Sequence, residues 1–409
     1  MNNTVQRRLD LSPHMATAAV SELQRARIAI VHYWFVAHRG GERVVEQIAS
    51  LFPQADLFSL IVDSSTLPES LRRRSIKTSF LQKLPRANRR HRHLLPLCPL
   101  ALEQFDLSGY DLVVSSESGP AKGVLTSAGT CHVCYCHSPM RYLWDFYHHY
   151  RNGSAIGRLA RPVFTFAAHY LRMWDAASAA RVDYFAANSR NVASRVRKHY
   201  RRDATVIYPP VNVSAGYLAN KTGDYYLTAG QLVDYKRVDL AIAACNRLGR
   251  PLHVVGAGEQ YARLLKLAGP TIHFCGPLSD RELHDQYAHC RALLFPAEED
   301  FGMVPVEALS FGRPVIAFGR GGATETVSGL DAQNVSNGLP GNSTGVFFRE
   351  QTVDSLTQAI LAFERVEHRF SPAFIQQQAQ RFSPEQFRCD FAAFLARKWH
   401  EFRYPELIS

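Results

Sequence analysis

The sequence predicts an α/β protein made of two Rossmann-like domains with parallel sheets. Three observations predict it. Strand-like and helix-like stretches alternate along the chain, the pattern of a parallel sheet covered by helices. Several strand-like stretches are unbroken apolar runs, such as Ile28-Ala29-Ile30-Val31, the form of strands buried on both faces. The alternation halts at Pro209-Pro210 and then restarts, and 409 residues suffice for two domains with full cores. The expected division is a flexible polar arm over 1–26, a first domain over 27–210, a second over 211–383 and a closing helical segment over 384–409.

The first strand, Arg27 to Trp34, runs into Arg39-Gly40-Gly41-Glu42-Arg43. A helix from about Val44 to Phe52 follows, with apolar residues at helical spacing. A strand, a glycine pair and a helix N-terminus together form the geometry that cradles phosphate. Asp56 to Val62 is a second strand. From Ser70 to Leu102 there is no acidic residue, and Arg72, Arg73, Arg74, Lys77, Lys83, Arg86, Arg89, Arg90 and Arg92 alternate with apolar side chains such as Leu81, Leu95, Leu97 and Leu100. Such a segment suits the surface of an anionic membrane; a solvated basic loop is the plain alternative.

Tyr110 to Ser116 and Thr130 to His137 are further strands. The run Cys131-His132-Val133-Cys134-Tyr135-Cys136-His137 has a zinc-like spacing, but no second ligand pair lies at a finger-like distance, and cysteines in a buried strand act as small hydrophobes. His137 stands just past a strand's carboxyl end, before Pro139, where open α/β sheets place ligand groups. Trp144, Asp145, Phe146 and Tyr147 suit a sugar, whose ring stacks on aromatic faces; the same aromatics also suit a core. A long helix over about Ile156 to Arg181, a strand at Val182 to Ser189, a helix to about Tyr200 and a strand at Thr205 to Tyr208 complete the first half.

The second half opens with a strand at Tyr225 to Ala229, the loop Gly230 to Arg237 and a helix from Val238 to Leu248. Leu252 to Val255 is a strand ending in Gly256-Ala257-Gly258, a weak signal that usually means a tight turn. Thr271 to Cys275 is the next, followed by Gly276-Pro277-Leu278. Ser279-Asp280-Arg281-Glu282 reads as a capping box for a helix to Cys290. Ala292 to Phe295 leads into Ala297-Glu298-Glu299-Asp300-Phe301-Gly302-Met303-Val304-Pro305-Val306-Glu307. Pro305 suits a first helical position and Gly312 a helix stop, so Glu307 is expected in the first turn and Glu299 in the loop before it. A helix N-terminus flanked by two carboxylates suits a nucleotide-sugar: amide N–H groups for phosphate, carboxylates for sugar hydroxyls. Gly302 is expected to let the ligand approach the backbone. The strand Val315 to Phe318, a loop over 328–344, a late strand at Gly345 to Phe348 and three helical patterns close the chain.

Composition bounds the function. Apolar residues make up 46% of the chain, and the formal charge of +11 favours an anionic partner. No apolar run approaches the ~18–20 residues needed to span a bilayer. With no signal-peptide core at the start, the expected location is cytoplasmic, peripheral on the inner face of a membrane. No RRM, helix-turn-helix or zinc-finger signature is present, so nucleic acid is not the expected partner.

The Glu299 to Glu307 segment resembles the E-x7-E signature of retaining glycosyltransferases of the GT-B fold, family 4; Glu299, Phe301, Gly302, Pro305 and Glu307 match it. The run from Cys136 to Asp145 is similar to the subset that builds polysaccharide and O-antigen repeats. The resemblance covers nearly the whole chain. It implies two facing Rossmann-like domains and a C-terminal helix that crosses back to the first. It implies catalytic roles for His137, Glu299 and Lys236, with Glu299 on the donor sugar, Glu307 on the ribose and Lys236 on the diphosphate. Gly40, Gly41, Gln231, Lys236, Arg237, Pro277, Leu278, Phe301, Gly302, Met303, Val304 and Glu307 are the implied donor contacts. Gln231 stands where the family usually has an arginine, and Arg237 is the candidate substitute. Glu325 matches a family position of unassigned role. The implied substrates are a nucleotide-sugar, GDP-mannose first and a UDP-hexose as alternative, and a saccharide or lipid-linked acceptor. The chain has no Asp-x-Asp, so no metal or other cofactor is expected. A hydrolase or phosphorylase on the same fold and a non-catalytic basic binding protein are the rival readings.

Overall fold

Residues 22–152, 157–337 and 342–407 are described by a computed structural model. They form two units. The first contains residues up to Asn188, Val192–Ile207 and the chain from Phe387 onward; the second contains Ser189–Asn191 and Tyr208–Gln386.

The first unit is organised on strand β1 (Ile28–Phe35). Its sheet also holds β2 (Asp56–Val62), β3 (Ile76–Thr78), β4 (Leu112–Glu117), β5 (Cys131–Cys136), β6 (Tyr184–Ala187) and β7 (Ala204–Val206), in the order β3-β2-β1-β4-β5-β6-β7. Every pairing is parallel. The chain builds outward from β1 on one side, then returns to β4 on the other, so the switch point lies between β1 and β4. In open sheets of this kind ligands bind beyond the strand carboxyl ends at that point. Both faces are apolar. On one, Ile28, Ile30, Val114, Val133 and Tyr135 pack with Val44, Val45 and Ile48 of the Gly40–Leu51 helix and with Phe387, Phe391, Phe394, Leu395 and Trp399 of the C-terminal helix Pro384–Arg403. Each such fully buried side chain contributes about 1.5–3 kcal/mol of transfer free energy. On the other, Val31, Leu60 and Val113 pack with Leu81, Ala101 and Leu102.

The second unit repeats the plan. Strands β8 (Tyr226–Ala229), β9 (Leu252–Val255), β10 (Ile272–Gly276), β11 (Leu293–Phe295), β12 (Val315–Phe318), β13 (Gly329–Asp331) and β14 (Gly345–Phe348) form a parallel sheet in the order β10-β9-β8-β11-β12-β14-β13. Its switch point lies between β8 and β11.

Several expectations shift. Most of the arm over 1–26 lies outside the described residues, but Leu23 and Ala26 are buried against the first core, so that core takes in residues before Arg27. Gly40 and Gly41 are the first two residues of a helix rather than a loop before it, because a helix start tolerates glycine when Glu42 closes it: its Oε2 accepts from the Arg39 N–H at 3.0 Å. Edge strands β3 and β13 fall inside stretches read as basic segment and loop; each is three residues long with no buried residue, so there is little pattern to read. The expected loop over 328–344 also includes residues 338–341, which lie outside the described set.

Candidate active site

In the second unit, the loops after β8 and β11 bring Lys236 and Glu299 together at the switch point. Lys236 Nζ lies 3.0 Å from Glu299 Oε1, with side-chain exposures of 15% and 17%. Burial alone would lower the Lys236 pKa. The Glu299 charge, followed by Tyr235, the close Glu299 contact and Glu307, outweighs it and raises the value, so the ammonium stays charged. The loop that carries Lys236 is pinned by backbone bonds: Gly230 N–H donates to Val255 O and Leu232 N–H to Ala257 O. Gly256 and Gly258 allow this contact, since a Cβ on them would sit 1.9 Å from Gly230 O and 2.2 Å from Leu232 O. The Gly-Ala-Gly run after β9 therefore serves loop packing.

Glu299 is held by its own backbone. Its carbonyl accepts from Gly322 N–H at 2.8 Å, and a Cβ on Gly321 or Gly322 would collide with the Glu299–Phe301 backbone. The helix that follows is Met303–Ser310, with Gly302 as N-cap at φ +87°. Two expectations are corrected here. Pro305 is the third helical residue, a position equally free of an N–H partner. Glu307 is consequently the fifth, in the second turn. Gly302 is needed for its positive φ: a Cβ there would meet nothing closer than 3.5 Å. Glu307 Oε2 accepts from Tyr287 OH at 2.9 Å, and the Glu307 charge is felt at Lys236. Met303 and Val304 are partly buried in the first turn, whereas Phe301 packs inward between Tyr208 and Phe382. Gly312, at φ +70°, ends the helix as expected.

The remaining implied donor contacts differ in placement. Gln231 is exposed on the β8 loop. Arg237 adopts a left-handed conformation before the Val238–Leu248 helix and binds Asp239 with Nε and an amino group, at 3.1 and 3.3 Å. Its guanidinium is committed there, which argues against its replacing the missing arginine. Pro277 is exposed and Leu278 partly buried, beside a cavity of about 800 Å³ lined also by Tyr217, His273 and Arg281. Glu325 accepts from the N–H groups of Arg190 and Asn191 at 2.8 and 3.0 Å and from Tyr208 OH at 3.2 Å, a backbone-organising role.

In the first unit, His137 lies at the end of β5, beside the switch point. Its Nε2 bonds Ser116 Oγ at 2.9 Å, and its N–H donates to Glu117 O. Burial lowers its pKa to about 4, so the ring is neutral near pH 7. Gly41 faces it: a Cβ there would lie 3.8 Å from His137 Nε2 and 3.6 Å from His32 Cε1. His32 is a residue that sequence reasoning missed. It is buried, its Nδ1 bonds Ser116 O at 3.0 Å and its Nε2 has no hydrogen-bond partner among the described residues. Its position inside an apolar strand run gave no signal. Behind β4 and β5 lies a buried charge group in which Lys122 pairs with Glu117 at 3.4 Å and with Asp175.

Trp144 and Asp145, suited by type to a sugar, both have partners within the first unit. Trp144 Nε1 donates to Asp175 at 2.8 Å while its ring stacks on His199; Asp145 pairs with Arg195 at 3.1 Å and with His199 at 3.2 Å. Phe146 and Tyr147 are engaged by Arg141 and Arg172. The cysteines at 131, 134 and 136 are fully buried strand residues.

Two family models match this chain: Glycosyltransferase Family 4 over residues 38–215 and Glycosyl transferases group 1 over residues 213–380. The chain belongs to the GT-B glycosyltransferases. This glycosyltransferase is 28% identical over 158 residues to the human alpha-1,3/1,6-mannosyltransferase ALG2, covering 36% of this chain and 37% of that one. It is 31% identical over 153 residues to an uncharacterised glycosyltransferase of Methanocaldococcus jannaschii, covering 36% and 42%. The matches thus span less than half the length of both relatives. Among solved structures, Anabaena HepE in complex with UDP-glucose superposes with a TM-score of 0.64 at 18% identity, over 90% of this chain and 99% of that one. At that identity the likeness is one of fold.

Proposed function

We propose that this glycosyltransferase moves a hexose, with retention of configuration, from a nucleotide diphosphate donor to a lipid-linked or growing polysaccharide acceptor, with mannose from GDP-mannose as the first choice. The observation that carries the reading is the Lys236–Glu299 pair at the β8/β11 switch point, beside the N-terminus of the Met303–Ser310 helix. The ammonium and the first-turn N–H groups meet the diphosphate, and their stabilisation grows as the bond from the sugar C1 to the phosphate oxygen breaks and charge collects there. Glu299 accepts from hexose hydroxyls and Glu307 from the ribose. The acceptor hydroxyl attacks C1 from the leaving-group face. A new C1–O bond forms and the departing phosphate oxygen takes the proton, so no side-chain nucleophile is needed. His137, neutral, offers a hydrogen bond to the reacting hexose.

We further propose that no metal is required, since Lys236 and the helix N–H groups supply the positive charge and the chain has no Asp-x-Asp. A UDP-hexose is the second donor, favoured by the HepE complex with UDP-glucose; the name of ALG2 favours mannose. No described helix is long and apolar enough to cross a membrane. The exposed Lys83, Arg86, Arg89, Arg90 and Arg92 support contact with an anionic membrane, which we place on its cytoplasmic face.

A thermal-shift screen of GDP-mannose, UDP-glucose and RNA tests this reading. It requires one nucleotide-sugar to raise the melting temperature, Lys236→Ala and Glu299→Ala to abolish that shift, and sugar transfer to need an acceptor. A shift with RNA alone would favour the binding protein, and free sugar release without acceptor would favour the hydrolase.

A further inference from the structure

The helix Arg161–Ala179 and the short turn before it leave an apolar stripe in solvent. Leu159, Val163, Phe166, Tyr170 and Met173 are 97%, 72%, 77%, 41% and 55% exposed. Their spacings of four, three, four and three residues keep them on one face, over about 20 Å. The opposite face is buried through Ala168, Leu171 and Asp175. A continuous exposed stripe of this size is rare on a monomer and marks a contact surface.

The surrounding charge selects the partner. From Phe146 to Trp174 there is no acidic residue. A groove of about 650 Å³ runs beside Phe166, lined by Arg151, Arg158, Arg161, Thr165 and His169. A second copy of this chain docked on the same face would bury the arginines of both grooves in one interface, with no carboxylate from the Phe146–Trp174 stretch of either copy to pair them. An anionic bilayer offers the complement: acyl chains for the stripe and phosphate for the groove. Leu95, within the basic segment, packs on the inner side of the same helix with Met140, Leu143 and Ala168, so segment and helix adjoin.

We propose that this helix is the element that inserts into an anionic phospholipid bilayer, with the groove arginines on lipid phosphates. The inference rests on the proposed membrane contact of the basic segment, and it assigns the apolar anchoring to a different element. It does not depend on the identity of the donor.

The test is flotation of the full chain with phosphatidylcholine vesicles, with and without phosphatidylglycerol, for the wild type, Val163→Glu/Phe166→Glu and Arg89→Ser/Arg90→Ser. Donor-induced thermal shift is read on the same samples to show that each variant is folded. The wild type is expected to bind only the vesicles containing phosphatidylglycerol. The stripe variant should lose about tenfold or more of that partition, because it withdraws two apolar side chains from the bilayer. Equal partition of the stripe variant and the wild type would overturn the role of this helix while leaving the basic segment's contact standing. No wild-type binding would overturn both, and a wild-type dimer that the stripe variant dissolves would assign the face to a second copy. None of these outcomes bears on the donor site, which the thermal shift reads separately.

Discussion

Lys236 Nζ and Glu299 Oε1 are 3.0 Å apart and mostly shielded from solvent. Removing one partner strands the other's charge, whereas removing both does not. Lys236→Met and Glu299→Gln should each destabilise the second unit by about 1–3 kcal/mol, the range for buried pairs discounted for partial exposure. The double variant should lose less than the sum. Urea melts of the four proteins check this, and strictly additive losses would show that the pair is uncoupled. All three variants should lose transfer by about a hundredfold or more, since stabilisation of the departing diphosphate goes with them.

Stability should fall on the acid side. Burial lowers the pKa of His32 to about 3 and of His132 and His137 to about 4, below the ordinary 6.5. The unfolded chain therefore binds more protons below about pH 6.5, and these groups contribute stability that is complete above that value and lost as pH falls toward their folded pKa values. His137→Gln should shallow the decline in melting temperature between pH 6.5 and 4. Transfer by the wild type should show no limb near pH 6.5 from this ring, and His137→Ala should lower turnover while the melting temperature at pH 7.5 holds. An unchanged turnover would remove His137 from the site.

Glu117 pulls the other way. Burial pushes its pKa up to about 7, against the attraction of Lys122, with Asp175 adding to the rise. The folded state then holds a proton that the unfolded state has lost, so stability present below about pH 4.5 declines as pH rises through about 7. Glu117→Gln should flatten melting temperature against pH between 5 and 8; an unaltered slope would mean that this carboxyl does not titrate there.

Two glycines beside Glu299 should behave differently. Gly302→Ala meets no close neighbour but must hold φ +87°, at about 1–2 kcal/mol. Gly322→Ala places a Cβ 2.3 Å from the Phe301 backbone, so the Glu299 loop has to move. Donor-induced thermal shift should survive the first change and vanish with the second.

Arg74 separates the basic segment into structural and surface parts. Its guanidinium donates to the carbonyls of Ala49, Phe52 and Ala55, at the end of the Gly40–Leu51 helix. Arg74→Ala should therefore lower stability by about 1–3 kcal/mol by leaving those carbonyls unpaired, whereas Arg89→Ser, on an exposed site, should change it by less than about 0.5 kcal/mol. Chemical melts decide, and equal effects would count against the division.

The fold was legible where burial on both faces writes a simple pattern. The bounds of β2, β9, β12 and β14 coincide with their apolar runs. Helix starts were less legible, because Gly40-Gly41 and Pro305 look like punctuation in a sequence yet sit inside the first turn, where no N–H partner is lost. At the site, proximity of Lys236 and Glu299 was legible only through the resemblance, since 62 intervening residues separate them in the chain. The partner of Arg237 was two residues away, but choosing Asp239 over a phosphate requires coordinates. The partners of Trp144 and Asp145 were not legible, since nothing in the sequence points to Asp175, Arg195 and His199.

Three of the four strands at the margins of the two sheets are short. β3 and β7 bound the first sheet and β13 one side of the second, each only three residues long. An approaching extended chain finds too few open amides there to start a ladder. Those three borders are thus guarded by their brevity against growing into intermolecular cross-strand aggregates; the remaining edge, β10, is longer at five residues and runs directly into Pro277.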